Sequence, residues 1–407
     1  MLVAELREDF PILRVEVNGR PLIYFDNAAT TQKPKQVIEA EREFYEKVNA
    51  NVHRGIHYLS REASELYERA HETLAKFINA EAEEIIFTSN TTDAINIVAW
   101  GWALWNVKRG ERIVTTELEH HSNMLPWRLV AKLTGCEVAY VSVDEEGLLR
   151  MEEAERLIDE RTRLVAISGM SNVTGFIPDV ERFVKLAREV GALVLLDGAQ
   201  MVPHIPVDVK KLDADFLAFS GHRCGPTGTG VLYGRKEVLE EMEPAKPGGG
   251  TIEDVTLEGQ SWAELPWKHE GGTPNIAGGI GLAAAAEYLM RVGMERVRDH
   301  EIALMRRALK VLPEAEDLVL YGPRDLRRRG GIVAFNVRGI DPHMVGALLD
   351  ARGIAVRTGL HCAHPLHRKL GAPQGTVRAS FYLYNTEEEV DTLAEELKEI
   401  LKLSKKK

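Results

Sequence analysis

Cysteine is scarce in this sequence: Cys136, Cys224 and Cys362 are the only three among 407 residues. They are too few and too scattered for a disulfide framework, and no pair has metal-ligand spacing. A reducing, cytoplasmic setting without a metal centre is therefore expected. Long apolar runs are also missing. The longest candidate, Ile95–Trp105, is interrupted by Gly101 and falls short of the ~18 residues that cross a bilayer. The opening MLVAELREDFPIL carries acids and a proline where a signal peptide needs a continuous apolar core. Basic charge is in deficit, with 51 Lys and Arg against 62 Asp and Glu. The resulting net charge of -11 argues against a nucleic-acid partner, because neutralising phosphates calls for a basic face. Lys405–Lys407 reads as a short solvated charge run. Internal repeats and low-complexity linkers are absent.

What is present is the composition of a globular protein, 44% hydrophobic and 28% charged, in a chain too long for one core. Short apolar runs alternate with helical patterns. Strands are expected at Leu22–Phe25, Glu84–Phe87, Arg112–Thr115, Glu137–Val143, Leu164–Ser168, Leu193–Asp197, Phe216–Phe219 and Gly230–Tyr233. Several are apolar throughout (LVAIS, LVLLD, FLAF), as strands covered on both faces of a mostly parallel sheet are. Helices are expected at Val37–Val48, Ser60–Ile78, Asn123–Leu133, Met151–Ile158 and Val180–Val190. This βα alternation implies an α/β domain with right-handed crossovers, placed at residues 16–285. After about Gly272 the pattern changes. One long helical stretch, Gly278–Leu312, leads to strands at Gly331–Val337, Ile354–Arg357 and Val377–Ser380, with helices at Pro342–Ala351 and Glu387–Leu403. This reads as a smaller α+β domain, residues 286–407, on which residues 1–15 could pack, although no sequence pattern points to it.

Ligands of open α/β sheets sit beyond the carboxyl ends of the strands, and the residues found there are unusual. Asp197 ends the strand LVLLD and is followed by Gly-Ala-Gln200. A carboxylate leaving a buried strand needs a partner: either a cap or salt bridge, or a ring nitrogen that the acid keeps protonated, making the ring an electron sink. The turn Thr88–Thr92, with Thr91 and Thr92 opening a helix, suits a phosphate, though a plain N-cap reads the same. His120 and His121 follow another strand, where a histidine is able to stack on a planar cofactor. Asn172 follows LVAIS and could bond a phenolic oxygen or serve a turn. Ser220, Gly221 and His222 follow FLAF and run into a glycine-rich loop. Finally, Arg357-Thr-Gly-Leu-His-Cys362-Ala-His-Pro sets a cysteine among basic groups in a polar loop. That is the setting of a nucleophilic thiol rather than of a structural one.

Taken in order, these residues resemble the fold-type I pyridoxal-phosphate enzymes, class-V aminotransferase family. The nearest match is the SufS-like (group II) cysteine desulfurases and their selenocysteine lyase relatives. The resemblance runs from FDNAATTQKP to YLYNTEEEVD. Its most specific stretches are NVHRGIHYLS (Asn51–Ser60), EHHSNMLPW (Glu119–Trp127), DGAQ (Asp197–Gln200), GGTPN (Gly271–Asn275) and RTGLHCAHP. It implies a large domain with a mostly parallel seven-stranded sheet, a small α+β domain carrying the cysteine loop, and a homodimer. It implies pyridoxal 5'-phosphate paired with Asp197 at the pyridine nitrogen, covered by His120, and contacted at the phenolic oxygen by Gln200 and Asn172. The phosphate falls to Thr91, Thr92, Ser220, His222 and the partner subunit's Thr273. Arg357 binds the substrate carboxylate as a bidentate fork, with Arg378, His53 and Asn172 in the substrate pocket. The implied reaction removes sulfur from L-cysteine, leaving L-alanine and a persulfide on Cys362. That sulfur then passes to a carrier or iron–sulfur scaffold protein. L-selenocysteine is the alternative substrate.

Two departures stand out. Leu360 occupies a position where many relatives have histidine. More seriously, the family pattern is Ser-Gly-His-Lys, two residues, then Gly-Pro-Thr-Gly, and the lysine bonds covalently to the cofactor. Here Ser220-Gly-His-Arg-Cys-Gly-Pro-Thr-Gly228 lacks the lysine and is one residue shorter. One lysine between His222 and Arg223 repairs both faults. The expectation is that the natural chain carries a cofactor-bearing lysine there, so that its numbering after His222 runs one higher. The alternative is a true deletion, which leaves Arg223 unable to make that bond and the protein a sulfur-transfer scaffold without activity.

Overall fold

The computed structural model describes residues 2–53 and 55–404; the Lys405–Lys407 run lies outside them. Seven strands form the main sheet: β1 (Ile85–Thr88), β2 (Arg112–Thr116), β3 (Glu137–Val141), β4 (Thr162–Ser168), β5 (Leu193–Asp197), β6 (Phe216–Ser220) and β7 (Gly230–Gly234). Their spatial order is β1-β7-β6-β5-β4-β2-β3. Only β7 runs against the rest, pairing antiparallel with both neighbours. The pattern of apolar runs has a direct cause. Val165, Ile167, Val194, Leu196, Leu217 and Phe219 belong to the core on one face, while Leu164, Ala166, Leu195, Phe216 and Ala218 belong to the core on the other. Both faces are covered by helices, so alternation disappears and each buried aliphatic contributes about 1.5–3 kcal/mol.

A second sheet follows: β8 (Leu318–Tyr321), β9 (Ile332–Val337), β10 (Arg357–Gly359) and β11 (Thr376–Ser380), ordered β8-β9-β11-β10 and antiparallel throughout. Its core joins Leu304, Phe335, Phe381, Leu393 and Leu397 with Phe25 from near the chain's start. Ile23–Tyr24 runs parallel to Ile354–Ala355, so the early chain is stitched to the late one. Phe10 packs against Tyr288 and Tyr384 at 6.0 and 4.7 Å between ring centroids. Arg7 donates to the Tyr384 carbonyl at 2.6 Å and to Glu389 at 2.8 Å.

The single helix expected over Gly278–Leu312 is two, Ile276–Val292 and Met294–Val311. Gly293 breaks it with φ +90°, a backbone conformation open to glycine and costly for other residues. The position after residue 285 therefore falls inside the first of these helices. Strand β8 and the exposed hairpin Ile252–Val255/Gln260–Trp262 were not among the expected strands. No helix among the described residues is long and apolar enough to cross a membrane.

Candidate active site

The carboxyl ends of the central strands meet at a cavity of about 370 Å³. Thr91, Thr92, His120, Asn172, Asp197, Gln200, Ser220, His222 and Arg223 all line it. Nearly every residue expected at a cofactor from its place after a strand is thus brought together, although they span more than a hundred positions of chain.

At one end lies Asp197, 5% exposed at the tip of β5. Its carboxylate accepts the Ala199 amide at 3.0 Å. Burial pushes its pKa up, opposed by that amide and by the charge of Arg223. At the other end the helix Thr91–Val98 begins. Ser220 Oγ takes the Thr91 amide at 2.8 Å and shares a 2.6 Å hydrogen bond with its hydroxyl. Gly230 makes this junction possible, since a Cβ there would stand 2.6 Å from the Asn90 Cα.

Between the two ends, His120 Nδ1 accepts the Ser122 amide at 3.1 Å, which leaves the ring proton on Nε2. Burial, then the charge of Arg223, pushes its pKa down to about 4, so the ring is neutral at ordinary pH. His222 is held lower still, at about 3, by burial and by Arg223 and Lys33. Ser122 Oγ lies 2.6 Å from Thr92 Oγ1 and 3.0 Å from His120 Nδ1, tying the histidine to the helix start. Below this turn Glu119 is fully buried. It accepts from Thr116 Oγ1, Asn123 Nδ2 and both Ser168 donors at 2.7–3.0 Å, and burial raises its pKa to about 7. Ser122 and Glu119 were not singled out from the sequence. Their signal was present in the quoted EHHSN, but what makes them matter is their partners.

Asn172 Nδ2 donates to the His361 carbonyl at 2.7 Å. Its own carbonyl accepts from Arg378 at 2.7 Å. Asp26, another residue the sequence reading passed over, stands between Arg378 (3.5 Å) and Arg357 (3.7 Å). The Arg378 side chain is 4% exposed and that of Arg357 58%, so one guanidinium is committed to the protein and the other is open. Cys362 is exposed, whereas Cys136 and Cys224 are buried. His53 and Thr273 are not at this cavity. They line another, of about 350 Å³, with Trp267, whose ring is 4.0 Å from that of His53.

The donor set suits a flat, phosphorylated pyridine: an acid at one end, hydroxyls and a helix N-terminus at the other, and a neutral histidine between. Gln200 donates to the Ala28 carbonyl, but its Oε1 is buried without a partner, a group waiting for a donor. One element does not fit. Among the described residues no lysine lines the cavity, and Arg223, its Nε 3.1 Å from the Ala28 carbonyl, takes the place after His222. The nearby Lys33 donates to the carbonyls of Thr31 (2.5 Å) and His222 (2.7 Å), outside the lining.

The class-V aminotransferase family model matches residues 23–393. The chain is 47% identical to a cysteine desulfurase of Haloferax volcanii, covering 97% of this chain and 95% of that one. It is 47% identical to a cysteine desulfurase of Salmonella agona over 98% of each. Among solved structures, the apo cysteine desulfurase of Thermococcus onnurineus NA1 superposes with a TM-score of 0.94 at 46% identity, covering 99% of this chain and 98% of that one. The cysteine desulfurase CsdA of Escherichia coli does so at 0.91 and 38%, covering 99% of each chain. The chain belongs to the class-V aminotransferase family of pyridoxal-phosphate-dependent enzymes, among its cysteine desulfurases.

Proposed function

We propose that L-cysteine bound in this cavity gives up its sulfur to Cys362, and that L-alanine leaves. The observation that carries this reading is the seat of the Cys362 loop. The loop belongs to the second sheet, yet the Cys362 carbonyl accepts the His121 amide at 2.9 Å and the His361 carbonyl accepts Asn172 at 2.7 Å. The loop that bears this exposed thiol is thereby tied to Asn172, which lines the cavity, and to His121, next to His120 in the lining, which supports the reading.

Pyridoxal phosphate, when bound, supplies an electron sink for charge developing at the substrate Cα. Asp197 would hold its pyridine end, His120 its ring, Gln200 and Asn172 its oxygen edge, and Thr91, Thr92, Ser220 and His222 its phosphate. Arg357, open to solvent, fixes the substrate carboxylate in a bidentate pair. Arg378 backs the site by neutralising Asp26. The Cys362 thiolate attacks the substrate sulfur, the carbon–sulfur bond breaks, a sulfur–sulfur bond forms, and a proton is delivered to the alanine carbon. The sulfur then passes to an acceptor protein, an iron–sulfur scaffold among them, in the cytoplasm.

Two expected parts of the site do not line this cavity. Thr273 and His53 line a cavity of their own, which supports their acting on the site of a homodimer partner. The covalent partner of the cofactor would be a lysine between His222 and Arg223, where this sequence has none and the two residues are consecutive in the short helix Gly221–Arg223; the family pattern alone supports its presence in the natural chain. A second reading rests on Arg223 alone: if it truly follows His222, the protein is a sulfur-transfer scaffold.

The test is Cys362→Ala. Alanine production from cysteine should fall to background while the cofactor spectrum stays unchanged. Full retention of desulfuration in that variant would remove Cys362 from the reaction.

A further inference from the structure

The side chains of His121 and His364 are used by nothing described so far, yet they meet beside Cys362. His121 Nε2 lies 3.0 Å from His364 Nδ1 and 3.3 Å from the His364 amide nitrogen. The rings are 4.7 Å apart between centroids and inclined by 33°. The His121 amide in turn donates to the Cys362 carbonyl at 2.9 Å. One residue of the first sheet's turn therefore makes three bonds to two residues of the loop, Cys362 and His364.

The loop needs such a hold. His361 and Cys362 both lie in the left-handed region, at φ 45° and 55°. Consecutive non-glycine residues there are disfavoured and persist only where surrounding contacts impose them.

The geometry also fixes protons. The His364 amide can only donate, so His121 Nε2 must be an unprotonated acceptor, and the His364 Nδ1–H is the second donor. Protonating Nε2 removes the acceptor of the His364 amide and forces the His364 ring to give up its Nδ1 proton, which weakens the clasp. Around it stand His120 on the same turn, Arg128 on the helix Leu125–Thr134, and His364 and His367 on the helix His364–Lys369. All are basic. Burial, with His364 and Arg128, holds the His121 pKa below its ordinary value.

We infer that His121 is a positioning residue, which with His364 latches the Cys362 loop over the active-site cavity and releases it when His121 takes a proton. This rests on the reading of Cys362 as the sulfur acceptor. A loop that must meet the substrate sulfur inside and a protein acceptor outside has to be held and let go, and an imidazole clasp of modest strength does both.

The test is amide hydrogen exchange of the holoenzyme, followed on peptides covering His121 and residues 359–366. Rates are expressed as protection factors, which removes the intrinsic pH dependence. In the unaltered protein, protection of both peptides should fall together between about pH 8 and about pH 5.5. H364A, at an exposed position, should lower protection by roughly fivefold at about pH 8, the scale of one lost hydrogen bond. H121Q places a non-titrating amide oxygen near the Nε2 position, so it should keep protection and lose the pH dependence. Unchanged protection in H364A, or a pH profile in H121Q like that of the unaltered protein, overturns the latch. Exchange is read without turnover, so failure here is separate from failure of the Cys362→Ala test.

Discussion

The side-chain nitrogen of Asn172 stands 2.7 Å from the carbonyl oxygen of His361. A residue at the rim of the cofactor cavity thus tethers the loop that carries Cys362. Asn172→Ala removes one ordinary hydrogen bond from that tether, a loss of about 1 kcal/mol. Desulfuration should drop by about fivefold, with cofactor content, read from visible absorbance, little changed. Loss of activity only in proportion to lost cofactor, with activity per bound cofactor intact, would leave Asn172 its proposed contact with the cofactor and remove the tether from the reaction.

Arg357 and Arg378 flank the same Asp26 but should behave differently. Arg357→Ala removes an open guanidinium, so KM for cysteine should rise by roughly tenfold or more, the scale of a charge-assisted pair. Stability should hold, because the exposed 3.7 Å contact to Asp26 is of a kind worth little. Arg378→Ala strands a half-buried carboxylate and empties a buried site. It should cost about 3–5 kcal/mol of stability, visible as a lower urea midpoint. Equal effects of the two on KM and midpoint would refute this division of labour.

The pH dependence of stability follows from groups buried in one protonation state. Burial, with Arg378 and His367, holds His361 down to about 2. As pH falls below about 6.5 the unfolded chain takes up this proton and the folded one does not. Stability contributed above the unfolded pKa is therefore lost on acidification. His361→Gln should make that decline shallower by about 1.4 kcal/mol per pH unit between about pH 6 and 4. Glu119, raised to about 7 by burial, works in the opposite sense: the fold holds its proton where the unfolded chain does not, between about pH 4.5 and 7. Glu119→Gln should steepen the acid decline in that window. Urea titrations at several pH values give both slopes, and identical slopes in all three proteins would contradict the assignment.

How much of this was legible in the sequence depended on what each feature rests on. Strand β5 was read to its last residue because covering both faces leaves LVLLD apolar, and its terminal Asp197 stood out as a charge on such a strand. Ser220 and Thr91 were found for the same positional reason. Glu119 and Ser122 were not, because a satisfied buried acid and a bridging hydroxyl are ordinary residues until Ser168 and Thr92 are brought beside them. The tether from Asn172 to His361 joins positions far apart in the chain and has no local signature. The helix break at Gly293 was missed since the apolar pattern continues on both sides, and the exposed hairpin near Gly259 has too little buried surface to show a period of two.

The most direct test of the account is mass spectrometry of the peptide spanning Asp215–Gly230 after borohydride treatment of the native protein. A peptide heavier by one lysine and a reduced cofactor is the predicted result, and it would establish the covalent link next to His222. A peptide with the mass of the sequence as it stands, with Arg223 directly after His222, would contradict the account and favour a sulfur-transfer scaffold without activity.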